Sequence, residues 1–484
     1  MKPPYDFTTH DLSQPLSPRG FPQATLVLCR WQKIAIGIIA ALLILGAFID
    51  WTTEILVINI ILTVFYLLST LYRMIIIHLA LARQREMIIS PEELATPPNG
   101  KQWPKYMVIL PMFHEKDVLP GLIQGLSNLD YPKDRLEIRL LIEEDDDETM
   151  DCARAMNLQP PFLIVPIPKS QPRTKPKACN VGIQTGEADL LVIYDAEDKP
   201  EPDQLKKAAW AFAKSPNNVA CVQAKLGYYN TDWNLLTKCF TADYATWFGL
   251  CLPGLDALQA PIPLGGTSNH FRLDILRQLR GWDEFNVTED CDLGLRLFRN
   301  GWRTRVLEST TWEQACPQVG FWIRQRSRWV KGYIQTYLVH CRDFAGIHRA
   351  LGFWNSIQFH LLIGGSCLAQ LINPFYWFMT LLWLVARPTV IDQFFPPTVY
   401  AMSAFCLFIG NFIFVYTSAV ACVRRGVGHV AKYCVLMPFY WMLMSVAAWK
   451  GFLQLITKPH HWEKTKHFAD QQHPSVPPSA ALDK

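Results

Sequence analysis

The sequence has no Cys-x-x-Cys pair, although 13 cysteines are spread along its 484 residues. Closely spaced cysteine pairs mark most zinc sites and many disulfide frameworks, so neither is expected here. The cysteines also avoid 50–54 and 387–397, two short loops that separate long apolar segments. Reduced thiols with this distribution are typical of a protein whose soluble part lies in the cytoplasm.

Strong net charge is missing as well. The formal net charge is +4, which gives nucleic-acid binding no support, and we predict no nucleic-acid partner. The chain contains neither an internal repeat nor coiled-coil heptads, which argues against solenoids and long coiled coils. It also contains no recognisable Ser-His-Asp or Cys-His constellation, so we do not expect a covalent enzyme intermediate.

Charge is nearly absent from five long segments of the chain. Each approaches or exceeds the roughly 20 apolar residues that an α-helix needs to cross a bilayer. Basic residues lie before the first segment and after the second, whereas the turn between them is acidic. This asymmetry favours cytoplasmic ends for the first helical pair. The segments cover residues 34–49, 55–71, 360–385, 399–423 and 435–456.

These segments divide the chain into six predicted regions. The last apolar segment contains Pro438 and is followed by basic residues, so we expect it to be re-entrant or interfacial, which leaves four membrane spans. The regions are a disordered tail (1–30), a two-helix transmembrane hairpin (31–85), a cytoplasmic soluble domain (86–320), interfacial amphipathic helices (321–350), membrane-embedded helices (351–457) and a basic C-terminal segment with its tail (458–484).

Short apolar runs alternate with amphipathic helical patterns in the soluble domain. This alternation predicts an α/β fold, with a mostly parallel sheet and helices on both of its faces. Ligands of such sheets bind at the carboxyl ends of the strands, where two acidic runs, 143–148 and 195–198, occur here. The predicted strands cover residues 107–110, 138–142, 162–165, 190–194 and 219–222.

The second acidic run has the spacing of a metal site. Asp195 lies two residues before Glu197, so both carboxylates can reach one hard cation, Mg²⁺ or Mn²⁺, that leaves positions open for two phosphates. Such an ion would stabilise a departing diphosphate. Either Glu197 or Asp198 can be the second ligand. A solvated acidic turn is the ordinary alternative for the motif taken alone.

Two further elements suit a phosphate-bearing ligand. The run 143–148 packs like charges together, which is costly unless some members have partners, and Glu143 and Asp145 are its best candidates. The basic loop that leads into a helix near Lys177 and Asn180 could offer cations and backbone N–H groups to a phosphate. Exposed charge and a basic surface turn are the corresponding alternatives.

Three later motifs complete the pattern. Adjacent glycines before Thr267 allow close approach of backbone to a ligand, although a plain tight turn fits too. Glu289 and Asp290 open a helix, where acidic residues are common as partners of the helix dipole. The segment 321–333 mixes aromatic and cationic residues, as a helix at a membrane interface does.

In this order, Asp195-x-Glu197, Thr288-Glu289-Asp290 and Gln325-x-x-Arg328-Trp329 resemble the motifs of processive family-2 glycosyltransferases, the group that includes cellulose and hyaluronan synthases. Segments 194–202, 264–271 and 461–467 look like the bacterial phage-adsorption-protein-B-type branch of that group. The resemblance implies a GT-A-type, nucleotide-sugar-binding domain inserted between transmembrane helices.

The resemblance also implies roles for individual residues. Asp290 would be the catalytic base, and Arg328 and Trp329 would contact the diphosphate and the acceptor sugar. The full set comprises catalytic Asp290, Glu289, Gln325, Arg328 and Trp329; donor-binding Glu115, Glu143, Asp145, Lys177, Asn180 and Asp195; acceptor-binding Gly266, Thr267 and Trp329; metal-binding Asp195, Glu197 and Asp198; and a gating segment with Trp462, Lys464, Thr465 and His467.

The function implied by the resemblance is that of an inverting, metal-dependent glycosyltransferase in the inner membrane. It would transfer a sugar from a nucleotide-sugar, expected to be a UDP-sugar, onto a growing β-linked polysaccharide and couple synthesis to export. Membrane lipids and export-machinery proteins are the expected further partners. Two alternatives are transfer of one sugar to a polyprenyl-phosphate lipid acceptor, and a non-catalytic membrane scaffold or phage receptor.

Overall fold

Eight strands form one sheet in the soluble domain. A computed structural model describes residues 23–460 of the chain. The strand order across the sheet is β3-β2-β1-β4-β7-β6-β8-β5. The strands are β1 Tyr106–Met112, β2 Leu136–Glu143, β3 Phe162–Ile167, β4 Leu190–Ile193, β5 Lys199–Pro200, β6 Val219–Tyr228, β7 Asn269–Arg272 and β8 Arg303–Glu313.

The sheet is mixed rather than uniformly parallel. Strands β1 to β4 pair in parallel, as do β6 and β8, whereas β7 is antiparallel to both of its neighbours and β5 is antiparallel to β8. The predicted α/β class is therefore confirmed, with five strands located as expected. The sequence pattern did not indicate β5, β7 or β8, because they are short or carry charged residues along their length.

Side chains of β1 alternate between two apolar cores. Val108 and Leu110 face one core, and Met107 and Ile109 face the other. Each of these four side chains is fully buried. A strand covered by helices on both faces reads as a continuous apolar run, which is the pattern of 107–110.

Helices cover the sheet and form the membrane part. Three π-helical segments, Trp247–Cys251, His360–Gly364 and Phe405–Gly410, join α7 to α8, α12 to α13 and α15 to α16. The helices are α1 Arg30–Ala82, α2 Pro91–Leu94, α3 Leu119–Ser127, α4 Asp147–Ala155, α5 Lys175–Gly182, α6 Gln204–Lys214, α7 Leu235–Thr246, α8 Leu252–Ala257, α9 Leu273–Gln278, α10 Glu289–Arg299, α11 Val319–His340, α12 Phe344–Phe359, α13 Gly365–Ala386, α14 Thr389–Gln393, α15 Pro397–Ala404, α16 Asn411–Arg424 and α17 Met437–Thr457.

Helix α1 is a hairpin with its turn at Asp50. The backbone of Asp50 is non-helical, with φ −156° and ψ 92°, and its carboxylate accepts from the backbone N–H groups of Thr52 and Thr53. A Cβ on Gly46 would lie 3.0 Å from the Glu54 carboxylate. In a straight helix, residues eight apart are separated by about 12 Å along the axis, so the chain reverses here.

The second half of this hairpin packs against later membrane helices through polar contacts. The Tyr66 hydroxyl donates to Asn373 Oδ1 at 2.7 Å, and the Tyr376 hydroxyl donates to Asn59 Oδ1 at 2.7 Å. Helical stretches long and apolar enough to cross a membrane are Arg30–Ala82, Val319–Ala386, Pro397–Arg424 and Gly428–Thr457.

Both ends of α17 lie against other parts of the chain that are close to the soluble domain. Near its start, the Tyr440 hydroxyl lies 3.3 Å from the Asp243 carboxylate of α7. Just beyond its end, His460 Nε2 lies 3.1 Å from the Thr25 carbonyl, and its ring contacts Phe285. Between these points α17 runs along α11. The predicted gating residues Trp462, Lys464, Thr465 and His467 lie outside the described residues.

Candidate active site

One cavity of ≈ 1580 Å³ extends from the carboxyl ends of the central strands into the space between the membrane helices. Asp145, Lys177, Asn180 and Asp198 are not among its lining residues. The predicted site residues that line it are Glu115, Glu143, Asp195, Glu197, Gly266, Thr267, Glu289, Asp290, Gln325, Arg328 and Trp329.

Asp195, at the end of β4, is paired with a lysine that the sequence pattern did not single out. Lys175 Nζ contacts the Asp195 carboxylate and donates to the Gly266 carbonyl at 2.8 Å. Burial opposes the charge of Lys175, but the carboxylates of Asp195 and Glu289 outweigh burial and raise the pKa of Lys175. Lys175 therefore places a fixed positive charge between the two acidic motifs.

The neighbouring carboxylates, Glu197 and Asp198, have different environments. Asp198 is 4% exposed, and its Oδ2 accepts from the Asp195 backbone N–H at 2.7 Å and from the Thr267 hydroxyl. These contacts make Asp198 a support of the turn. Glu197 lines the cavity, where burial and the adjacent Asp195 charge raise its pKa to about 8.

The acidic turn fits a hard divalent cation. Asp195 and Glu197 offer carboxylate oxygens to the cavity, and mutual repulsion of these groups would be relieved by a positive ion. Within residues 23–460, no three His, Cys, Asp or Glu side chains already converge as a metal site. The remaining ligands would therefore be phosphate oxygens and water, which is the usual arrangement for Mg²⁺.

Glu143 and Asp145, at the end of β2, also differ in role. Glu143 is 6% exposed, and burial raises its pKa to about 7. Asp145 instead pairs with Arg173, whose guanidinium lies 5.2 Å from the centre of the Phe113 ring. Glu143 is thus the member of the run that faces the cavity, and Asp145 holds the basic loop that borders it.

The predicted donor-binding Asn180 is committed to internal contacts. Its side-chain nitrogen donates to the Trp282 carbonyl and to Glu284 Oε1, each at 2.9 Å, and its oxygen accepts from the Trp282 N–H. These contacts make Asn180 a support of the turn that precedes α10, and its role in donor binding stays a prediction. Lys177 is also buried, at 2% exposure, beneath the basic loop.

Asp290 lies in the first turn of α10 and faces the cavity. Its Oδ1 accepts from the Cys291 N–H at 2.7 Å, and a Cβ on Gly266 would lie 3.5 Å from its Oδ2. Burial raises the pKa of Asp290 to about 6, against the opposing charges of Lys175 and Arg328. A carboxylate with this pKa can accept a proton near neutral pH.

Helix α10 is fixed against the end of α11. Asp292 accepts from Arg296 Nε at 2.7 Å and lies 2.9 Å from His340 Nε2. The other ring nitrogen of His340 lies 3.1 Å from an Arg299 N–H nitrogen. Because arginine only donates, this nitrogen is the acceptor and Nε2 carries the proton. The hydrogen bond between His340 and Asp292 therefore fixes the helix that carries Asp290.

Helix α11 brings the last motif to the same cavity. The Gln325 side-chain oxygen is buried and has no hydrogen-bond partner in the part of the chain that the structure describes. The Trp329 ring is stacked with Tyr244 at a centroid distance of 6.3 Å. Glu313, at the end of β8, also lines the cavity and was missed because β8 was not recognised as a strand.

Residues 190–391 match the family model described as "Glycosyl transferase family group 2". This stretch of the chain is therefore similar to family-2 glycosyltransferases. The match contains the acidic turn, Asp290 and the α11 motif. It leaves the processive and phage-adsorption-type branches undecided.

Two curated relatives of this chain agree with the match. The "Probable glycosyltransferase YdaM" of Bacillus subtilis is 28% identical over 257 residues, covering 52% of this chain and 60% of that protein. The "Probable glucomannan 4-beta-mannosyltransferase 7" of Oryza sativa is 26% identical over 244 residues, covering 48% of this chain and 41% of that protein. The chain thus spans about half the length of these relatives.

A solved structure has a similar fold. It is the "Mannosyltransferase PcManGT from Pyrobaculum calidifontis in complex with GDP-Man and Mn2+", with a TM-score of 0.50 and 16% identity. The similarity covers 83% of this chain and 99% of that one. It confirms the predicted GT-A-type fold.

Proposed function

We propose that the protein transfers a sugar from a nucleotide-sugar to the end of a growing β-linked polysaccharide by one inverting displacement. The observation that carries the proposal is one shared cavity, in which an acidic donor turn, a half-buried base and an aromatic acceptor site open toward the membrane helices. The intact acidic residues at each motif argue against a non-catalytic scaffold.

Asp195 and Glu197 are the residues that would hold Mg²⁺ or Mn²⁺ on the donor side. When bound, the ion supplies Lewis-acid stabilisation for the departing diphosphate. Lys175 and Arg328 add positive charge to the same part of the cavity, and paired N–H donors make Arg328 suited to phosphate oxygens. Glu143 would contact the nucleoside.

Asp290 would act as the base. As the acceptor hydroxyl oxygen bonds to the anomeric carbon, its proton passes to the Asp290 carboxylate. The bond between that carbon and the diphosphate oxygen breaks, and the diphosphate leaves with the electron pair. One displacement inverts the anomeric centre and needs no enzyme nucleophile.

The acceptor would lie between Trp329 and the Gly266 backbone. An indole face stacks on the apolar face of a sugar, and glycine lets the main chain come close. The Thr267 hydroxyl is occupied by Asp198 and by the Ile193 carbonyl at 3.2 Å, so its backbone is the part available to the acceptor.

The membrane end of the cavity supports export of the product. Aromatic and polar side chains line it together, including Tyr66, Asn373 and Trp377. Among the described residues, the buried Ser69 hydroxyl and the Gln370 oxygen lack protein partners. Hydroxyl groups of a sugar chain could satisfy both, whereas the apolar tail of a polyprenyl phosphate could not.

We further propose a topology with four spans and cytoplasmic ends. The α1 hairpin, α13 and the α15–α16 helix would cross an inner membrane, and α17 would lie along the interface beside α11. Phe439, Val446 and Leu453 are exposed along one side of α17, where lipid would cover them. A cysteine at Thr465 should then resist an impermeant thiol reagent on intact cells; labelling would refute this topology.

The activity can be tested with purified protein in lipid. The assay offers a panel of labelled nucleotide-sugars with Mg²⁺ or Mn²⁺ and scores product size. UDP-sugars are expected first, but GDP-mannose belongs in the panel because PcManGT binds it. A long, alkali-stable polysaccharide is the expected product. A single sugar on a lipid would support the alternative acceptor, and no transfer from any donor would contradict the proposal.

A further inference from the structure

Arg326 lies between the motif residues Gln325 and Arg328 and has a distinct environment. It is 7% exposed. Its guanidinium pairs with the Asp243 carboxylate of α7 and donates to the Tyr440 hydroxyl of α17 at 2.8 Å. A buried guanidinium requires such partners, so the arginine joins three helices that are distant in sequence.

The same guanidinium is surrounded by aromatic rings. Its carbon lies 4.4 Å from the centre of the Phe240 ring and 4.5 Å from the centre of the Trp329 ring. Trp322 and Tyr440 follow at 5.6 and 6.0 Å. Cations within about 6 Å of a ring centre are attracted to its face. The Trp329 indole therefore cannot turn without losing contact with a charge that is itself held in place.

We propose that Arg326 is a positioning residue that fixes the Trp329 ring at the orientation needed to receive the acceptor sugar. The inference rests on the proposed function, in which Trp329 stacks on the acceptor. Asp243 and Tyr440 hold the guanidinium, and the guanidinium holds the indole. Arg326 makes no described contact with Asp195, Glu197 or Asp290, so donor chemistry should not depend on it.

Lysine cannot replace this arginine. An ammonium group is a compact charge, whereas the planar guanidinium can donate to Asp243 and Tyr440 while its face lies on a ring. Arg326→Lys therefore keeps the charge and removes the planar contact. Arg326→Met keeps apolar bulk and removes both.

The test measures transfer to an oligosaccharide acceptor and donor hydrolysis without acceptor, using the full chain in lipid. For Arg326→Lys we expect transfer to fall by roughly threefold to fivefold, mainly as a higher acceptor KM, which is no more than the loss expected on removing the Trp329 ring itself. Hydrolysis should stay within about twofold of wild type, since the donor site keeps its geometry. Arg326→Met should lose more transfer.

Arg324→Met is the matched control. Arg324 lies on the same helix but is exposed, stacks on Phe321 and does not line the cavity. We expect this variant to behave as wild type. If Arg326→Met does not fold, Tyr440→Phe removes only the hydroxyl that accepts from Arg326 and donates to Asp243, and should lower transfer about twofold, again with hydrolysis unchanged.

Two results would overturn the inference. One is wild-type transfer and product length in Arg326→Lys. The other is an equal loss of hydrolysis and transfer in folded variants, because the arginine would then act on the whole site. Failure of the proposed function is seen separately, as a lack of transfer by the wild-type protein, and the inference would fall with it.

Discussion

The proposed donor half and the proposed acceptor half of the cavity are built in different ways. On the donor side, Glu143 is the last residue of β2 and Asp195 follows β4. The pairing of both strands with β1 fixes where these strands end. The proposed acceptor half depends on Trp329, whose ring contacts Arg326, and Arg326 in turn contacts Asp243 and Tyr440 on two other helices. In the first half, the ends of strands position the charged side chains. In the second half, packing between helices orients an aromatic ring. Substitutions in the two halves should therefore fail differently.

The largest effect is expected on the donor side. Asp195→Asn should abolish transfer and donor hydrolysis together, because it removes charge from the proposed metal shell and leaves Lys175 without its partner. Chelation of Mg²⁺ and Mn²⁺ should abolish wild-type activity in the same way, with recovery on adding metal. Asp134→Asn, an exposed change, is the control. Full wild-type turnover in the presence of chelator would contradict the proposed metal dependence.

Asp290→Asn should slow sugar transfer and leave nucleoside-diphosphate binding intact. Loss of a general base costs about 10²- to 10⁴-fold in rate, whereas nucleoside-diphosphate affinity should stay near that of wild type. Calorimetric titration and a transfer assay check the two parts. Asp274→Asn, an exposed acidic residue in the first turn of α9, is the matched control. A variant that keeps a tenth of the wild-type rate would show that Asp290 is not the base.

Trp329→Ala tests the acceptor half. Loss of ring stacking, worth about 1 kcal/mol, should slow transfer about fivefold or more and shorten the product, while donor hydrolysis changes less. Product length by gel analysis and released nucleotide give the two readouts. Equal damage to both would indicate that the substitution disturbs α11 as a whole.

The smallest effect concerns pH. Asp290 acts only when deprotonated, and burial raises its pKa to about 6, so activity should rise with pH through that value. The rate at pH 6 should be about half of its plateau, and it should fall about tenfold per unit below that. A rate profile at saturating donor checks this. A profile flat down to pH 4.5 would contradict the role of Asp290.

The main motifs could be placed from the sequence because the carboxyl ends of parallel strands meet at one edge of a sheet, and ligands bind at that edge. Apolar strands followed by acidic residues indicated that Asp195 and Glu197 would face the ligand edge of the sheet. The pattern favoured Lys177, although Lys175 is the lysine that lines the cavity, and it left the choice between Glu197 and Asp198 open. Those choices depend on the turn of the backbone, which local pattern does not determine.

Contacts between distant elements left no local signal. Asp243 and Tyr440 are ordinary residues of two apolar helices, and only packing brings them to Arg326. The internal contacts of Asn180 also left no signal, because a buried amide that holds a turn and a ligand-binding amide look alike in sequence. Strand β7 was missed because it has only four residues, and the first and last of them are polar or charged. So short a strand shows no recognisable alternation of apolar and polar residues.

The direction in which a membrane helix faces depends on the number of residues in the π-helical turn that precedes it. Residues of Phe405–Gly410 line the cavity, as do Ser403 before it and Asn411 after it. Each residue of an α-helix advances by about 100°, so a π turn acts as one inserted residue that re-aims the following helix. Deleting a single residue there would turn Asn411–Arg424 away from the cavity without altering its composition.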